Sequence, residues 1–173
     1  MNSDNSTLPE NELKIIKALG EQGNAKAQHN LGAMYLNGQG VEKDVEKAFR
    51  WFRLAAEQGL VVAQHNLGTL YLQGVDSMPS DPIEAAHWFT KAAMQGDPRS
   101  QYSLGALYFE GLGVEKNLEK AYIWLSLSLQ VAPKERQKEV RQVRDFVASQ
   151  LSPEEIENAQ KSTVDIVKNM TIH

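Results

Sequence analysis

One hexapeptide, Ala27-Gln28-His29-Asn30-Leu31-Gly32, recurs as Ala63-Gln64-His65-Asn66-Leu67-Gly68 and, altered, as Ser100-Gln101-Tyr102-Ser103-Leu104-Gly105, at offsets of 36 and 37 residues. The same register carries Tyr35, Tyr71 and Tyr108, then Gly38, Gly74 and Gly111, then Ala48, Ala85 and Ala121, then Trp51, Trp88 and Trp124. Repetition at this spacing marks stacked units, none of which buries its apolar face alone. Three units are delimited at 23–58, 59–95 and 96–131. Half a unit precedes them in residues 1–22, because Leu13-Lys14-Ile15-Ile16 aligns with Phe49-Arg50-Trp51-Phe52. Residues 132–173 are expected to form C-terminal capping helices.

Within a unit the apolar positions follow the helical period: Ala27, Leu31, Met34 and Tyr35 lie on one stripe, Ala48, Trp51, Phe52, Ala55 and Ala56 on another. Each unit is therefore a helix pair, and the expected fold is all-α with about nine helices. Gly38 can end the first helix in the left-handed conformation, and Asp44 is placed to cap the next. Asp81-Pro82 and Asp97-Pro98 join an N-cap to a first-turn proline, and Ser152 with Glu155, like Thr7 with Glu10, has capping-box spacing. Gly32, Gly68 and Gly105 fall inside helices, where glycine costs about 1 kcal/mol against alanine. Close approach of helix backbones, helped by the small Ala27, Ala63 and Ser100, is the expected compensation. The repeated tryptophans and tyrosines are expected to fill space between layers.

The 173 residues hold 18 Lys+Arg against 22 Asp+Glu, a net charge of −4, and no cysteine. Such a balance offers no long-range attraction to a phosphate backbone or an anionic membrane surface. The most apolar stretch, Ile123 to Ala132, is broken by Ser126, Ser128 and Gln130, and no run approaches the ~20 apolar residues of a transmembrane helix. Met1 is followed by polar residues without a basic start or apolar core, so the expected location is cytoplasmic, or periplasmic or secreted if a leader has been trimmed. Without cysteine there is neither disulfide nor zinc-thiolate site.

The pattern Ala-Gln-x-x-Leu-Gly-x-x-Tyr-x-x-Gly, followed by Lys-x-Ala-x-x-Trp-x-x-x-Ala-Ala-x-x-Gly, resembles the Sel-one-like repeat (SLR) family, relatives of the tetratricopeptide repeats. The segment from Leu151 through Pro153 and Ile156 to Gln160 resembles the tail that often closes such arrays. The resemblance implies a right-handed α-solenoid of helix-turn-helix repeats with a concave face. It also implies an adaptor or scaffold role in protein complexes, in bacteria often in signalling, envelope or host-interaction settings. Two departures stand out. Between Gly74 and Asp81 the second glycine becomes Asp76 and one residue is added, a surface loop carrying Met78. In the third unit the Ala-Ala pair and closing glycine become Ser128-Leu129 and Ala132-Pro133, which reads as the array's end, with Val140, Val143, Phe146 and Val147 on one side of the capping segment. Val140, Val143, Val147, Val164 and Val167 are expected to pack on the third unit; a homodimer through these helices is the alternative.

No catalytic constellation is visible. The four histidines are His29, His65, His87 and His173, and no serine sits in a nucleophile turn. His29 and His65 belong to neighbouring first helices, about 8–10 Å apart, too far for two imidazoles to share a metal ordinarily. Glu84 and His87 have a spacing used in di-iron helices, but once only, and are read as a surface pair. No metal or cofactor is expected.

By analogy with related arrays, the groove is lined from the first helix of each unit. The positions are Lys26, His29, Ala33, Leu36 and Asn37; Val62, His65, Thr69, Leu72 and Gln73; and Arg99, Tyr102, Ala106, Phe109 and Glu110. Interleaved polar and apolar groups of this kind suit an amphipathic peptide. Some tetratricopeptide domains grip a terminal carboxylate; Asn66 and Arg99 match that clamp, whereas His29, Ala33 and Ser103 do not. A weaker version has Arg99 supplying the charge and Asn30 with Asn66 holding a peptide backbone. The expected function is a non-enzymatic module binding a protein or peptide on its concave face. The alternative is a dedicated inhibitor or immunity-type partner of one folded protein, with a hydrolase or a structural spacer ranked lower.

Overall fold

The computed structural model describes residues 10–75 and 78–170. Nine helices are described, in order α1 (Glu10–Glu21), α2 (Ala25–Asn37), α3 (Val45–Glu57), α4 (Val61–Gln73), α5 (Pro82–Met94), α6 (Pro98–Glu110), α7 (Leu118–Val131), α8 (Lys134–Ala148) and α9 (Pro153–Met170). The pairs α2/α3, α4/α5 and α6/α7 are the units, and each second helix also packs on the first helix that follows it. The chain is an all-α solenoid of helical repeats. Among the described residues no helix is long and apolar enough to cross a membrane.

Side-chain caps set the boundaries. Asn24, Asp44, Asp97 and Asn117 each accept a backbone N–H three residues on, and Asp81 accepts two, from Ile83 and Glu84. Ser152 and Glu155 form the expected reciprocal box, with Ser152 N–H donating to Glu155 at 2.7 Å. The box read at Thr7 and Glu10 lies outside the described residues. Gly38 and Gly111 end α2 and α6 at φ of 70° and 76°, a region that L side chains rarely adopt.

The loop inside each unit is held by one repeated bond, from the N-cap of the second helix to the tyrosine carbonyl of the first. Asp44 N–H reaches Tyr35 and Asn117 N–H reaches Tyr108, both at 2.9 Å, while Asp81 N–H reaches Tyr71 at 2.7 Å. The extra residue of the middle loop is absorbed by an isolated bridge between Val75 and Met78. Met78 in this surface loop is half-buried; Asp76 and Ser77 lie outside the described residues.

The interior glycines work differently from the expectation. A Cβ on Gly32 would fall 2.7 Å from the Phe52 ring, one on Gly68 2.8 Å from the Phe89 ring, and one on Gly105 2.8 Å from Leu125. A side chain of the second helix lies flat on the first, and at Gly105 the Ala121 carbonyl also presses in, 3.2 Å away. Phe52, Phe89, Leu31, Leu67, Leu104 and Leu125 are accordingly fully buried.

At the C-terminal end α8 and α9 both pack on α7. Val140 and Val147 are buried and Val143 is partly covered, as expected. Val164 and Val167 are not: they are 53% and 36% exposed, and Ala159, Ile156, Ile166 and Met170 make the packed face of α9 instead. The apolar stripe of α9 runs through those four residues, one strip around the helix from the two valines.

Candidate partner-binding face

The first helices α2, α4 and α6 are joined by side chains from the groove positions. Asn66 Nδ2 of α4 lies 3.0 Å from His29 Nε2 of α2, and His65 Nδ1 of α4 lies 2.9 Å from Ser100 Oγ of α6. Ser100 gives its own proton to Asp97 Oδ2 at 2.7 Å, so the His65 ring carries its proton on Nδ1 and donates to the serine. His29 has the same tautomer, Nδ1 facing Asn30 Oδ1 at 3.4 Å while Nε2 accepts from Asn66. Arg99 closes the network with a salt bridge to Asp97 Oδ1 at 3.1 Å.

Each imidazole is seated on an aromatic ring of the same unit, His29 on Phe52 with centroids 5.4 Å apart and His65 on Phe89 at 5.6 Å. Burial lowers both histidines below the ordinary imidazole value. At His65 the nearby Arg99 adds to the effect and Asp97 opposes it; at His29 the hydrogen bond to Asn30 opposes it. The neutral ring is what the joint needs, because a His29 cation would lose the lone pair that accepts from Asn66.

The structure thus divides the expected groove residues into two groups. His29, Asn66 and His65 are joints between helices, and Thr69 bonds the His65 carbonyl of its own helix at 3.0 Å. Lys26, Asn30, Asn37, Gln73, Arg99 and Glu110 are exposed, with Ala33, Leu36, Val62, Leu72, Tyr102, Ala106 and Phe109 half-buried between them. Phe109 packs edge-on against Phe146 of α8 at 5.8 Å, and Lys116 Nζ stands 5.3 Å from its centroid. Burial, helped by the facing Glu139, raises the Tyr102 hydroxyl above the usual phenol range.

Of the residues expected in the weaker carboxylate clamp, Asn66 Nδ2 bonds His29 and the half-exposed Arg99 pairs with Asp97. Ser100 does not resemble a nucleophile: it is fully buried and its proton points at a carboxylate. His87 is an exposed ring set edge-on to Trp88 at 5.3 Å. Among the described residues no group of three His, Asp or Glu is placed to hold a metal ion.

Two functional groupings escaped the sequence reading. Asp97 was legible as a cap but not as the hub of His65, Ser100 and Arg99. A glutamine ladder was also missed: Gln58 Nε2 donates to Gln28 Oε1 at 2.6 Å and Gln95 Nε2 to Gln64 Oε1 at 2.7 Å, while Gln28 and Gln64 donate to the Gly20 and Ala56 carbonyls of the preceding layer. The recurrence of glutamine at both positions of the repeat was the available signal.

Stacked helix pairs with capped, interlocked first helices define the chain as a helical-repeat protein. The Sel1 repeat model matches it three times, at residues 25–60, 61–97 and 98–130, and the chain belongs to the Sel1 repeat family. Among solved structures it is similar to a Sel1 repeat protein from Oxalobacter formigenes, with 34% identity over 76% of this chain and 98% of that one and a TM-score of 0.68. It is also similar to c5321, a protective antigen present in uropathogenic Escherichia coli strains and displaying an SLR fold. There the identity is 27%, the TM-score 0.64 and the coverage 94% of this chain and 42% of that one, so the chain spans about two fifths of that protein's length. No curated protein matches the chain. Proteins of this family are generally protein-interaction scaffolds and typically non-enzymatic.

Proposed function

We propose that the face formed by α2, α4 and α6 is the concave working surface of an adaptor that binds a partner peptide or protein. The observation behind this reading is the division of labour on that face. The inner polar atoms are consumed in joints between helices, through Asn66 with His29 and His65 with Ser100. The outer side chains, Lys26, Asn37, Gln73 and Glu110, remain exposed beside half-buried Leu36, Leu72 and Phe109. A surface fixed in this way loses little conformational entropy when a partner docks. It also has the mixed polar and apolar make-up of a contact surface.

The test is affinity capture with mass spectrometry, comparing wild type with Lys26→Glu/Gln73→Ala/Glu110→Lys, which leaves every joint intact. A protein retained by wild type and lost from the variant supports the reading. Identical lists from both baits overturn it. Recovery of a single folded partner in equimolar amount would favour the inhibitor form of the function over the adaptor form.

A further inference from the structure

The three joints between layers differ at one place, the residue just before each following helix. Leu60, Asp97 and Pro133 are the N-cap residues of α4, α6 and α8, all extended, with φ of −65°, −69° and −59°. Leu60 is half-buried and packs on the core of the first two units. Asp97 is buried and bonds Ser100 and Arg99. Pro133 is exposed, and beside it a cavity of about 190 Å³ opens between α6, the end of α7 and α8. Pro98, Tyr102, Ala132 and Val140 line it together with Arg99 and Arg136. Both arginines are about half exposed, so their apolar stems add to the wall while the charged heads stay in water.

The polar groups of these walls have partners within the chain. Arg99 pairs with Asp97, Arg136 pairs with Glu139, and the Tyr102 hydroxyl bonds Glu139. Ser128 donates to the Pro98 carbonyl at 2.7 Å and Gln137 to the Ala132 carbonyl at 3.0 Å. With each rim charge balanced in this way, a charged occupant would give up its hydration without gaining an ion of its own. An apolar occupant gains by leaving water. A dry cavity of about 150 Å³ admits benzene, so this space takes one side chain of leucine or phenylalanine size and not a length of backbone.

We infer that this cavity is an anchor for one such apolar side chain of the partner, seated against Tyr102 and Val140 in the place that Leu60 occupies at the first joint. The inference rests on the proposed use of this face for a protein partner and names the chemistry of one contact. Arg99 and Tyr102 are groove positions of α6, so the cavity opens on that same face.

The probe is N-acetyl-leucinamide, titrated into the ¹⁵N-labelled chain, with N-acetyl-asparaginamide as a control of similar shape but polar. The expected result is saturable shifts of the Tyr102, Ala132 and Val140 amides with the leucyl probe and an affinity about tenfold weaker with the asparaginyl one. Pro133→Leu gives the last joint a leucine of its own and should abolish probe binding. Ala132→Leu, which fills the space from the end of α7, should do the same, and thermal melts report whether each variant folds. Equal binding of both probes to wild type, shifts confined to other residues, no shifts, or undiminished binding to both folded variants overturns the inference. Shifts of the same amides on concentrating the chain without probe would assign the cavity to a second copy and overturn it too. A silent titration beside a capture difference for the face variant sinks this contact alone. Identical capture lists sink the functional reading itself and with it the partner assigned to the cavity.

Discussion

At Gly32, Gly68 and Gly105 the chain accepts a helix-weakening residue so that a large side chain can lie against the helix barrel. An alanine at 68 would gain about 1 kcal/mol of helix propensity, yet its Cβ would sit 2.8 Å from the Phe89 ring, and overpacking of this kind costs about 1–3 kcal/mol. The clash should win because Phe89 is fully buried and walled in by its own helix and α4. Gly68→Ala is therefore expected to lower the urea midpoint, and an unchanged or raised midpoint would show that the ring can move aside. The glycines are conspicuous in the sequence, but the residue they admit is a whole loop away, and no periodicity tells a ring from a backbone. The histidines carry the second residue-scale prediction. Burial lowers His29 and His65 in the folded chain relative to the ordinary value of 6.5, so below that value the unfolded chain binds more protons than the folded one. Stability is then full above the unfolded value and lost as pH falls through the folded one. Urea melts from about pH 8 to about pH 5 should show this loss in wild type and a flatter profile in His29→Gln/His65→Gln; parallel profiles would mean that the rings titrate as if exposed.

Between elements, the glutamine ladder shows how one layer registers on the next, and where it stops. Gln58 and Gln95 stand seven residues after Trp51 and Trp88; the residue in that place after Trp124 is Val131. Gln101 Oε1 is left buried with no partner as a result, although Gln101 Nε2 still reaches the Ala93 carbonyl at 3.2 Å. An unmet buried acceptor costs about 1–3 kcal/mol, and Val131 is 56% exposed, so replacing it sacrifices little packing. Val131→Gln should complete the third rung and raise stability by about 0.5–1.5 kcal/mol, whereas Gln95→Val should orphan Gln64 Oε1 and lower it by about 1–3 kcal/mol. Chemical denaturation of both variants decides the matter: a Val131→Gln chain no more stable than wild type would mean that water already serves Gln101. Helix ends and pairings could be read in advance because caps, prolines and apolar stripes are local signals, as Asp44, Asp81 and Ser152 show. The face could not be apportioned in that way. Whether Asn66 meets a partner or His29 depends on the offset between helices a full unit apart, which the one-dimensional pattern does not contain. The choice of Val164 and Val167 as packing residues failed for a related reason, since α9 carries two candidate apolar strips and only contact with α7 selects one.

A solenoid distributes its stability along its length, because each unit touches only its neighbours. Here the distribution is uneven. The core shared by the second and third units and the C-terminal helices is the larger, gathering Phe89, Leu104, Leu107, Tyr122, Ile123, Trp124, Leu125, Leu127 and Val147, whereas that of the first two units has Phe52, Leu67, Leu70 and Trp88 among Ala48, Ala55, Ala56 and Ala63. Apolar burial contributes about 25 cal/mol per Å², so the larger core makes the C-terminal half the stronger block. At the other end α1 packs on α2 but leaves Ile15 and Leu19 60% and 41% exposed, since the described residues hold no first helix to pair with it. Amide exchange followed by mass spectrometry should accordingly be graded, fastest in α1, intermediate in α2 and α3, and slowest in α6 and α7. The gradient should depend on α9, which covers the outer side of α7 through Ala159 and Ile156. A chain ended after Gln150 should still fold its first two units, with protection in α7 falling toward the level of α3 while α2 and α3 exchange as before. Loss of protection along the whole array in that shortened chain would instead mean that the solenoid unfolds as one cooperative unit, with its C-terminal helices completing a core on which every layer depends.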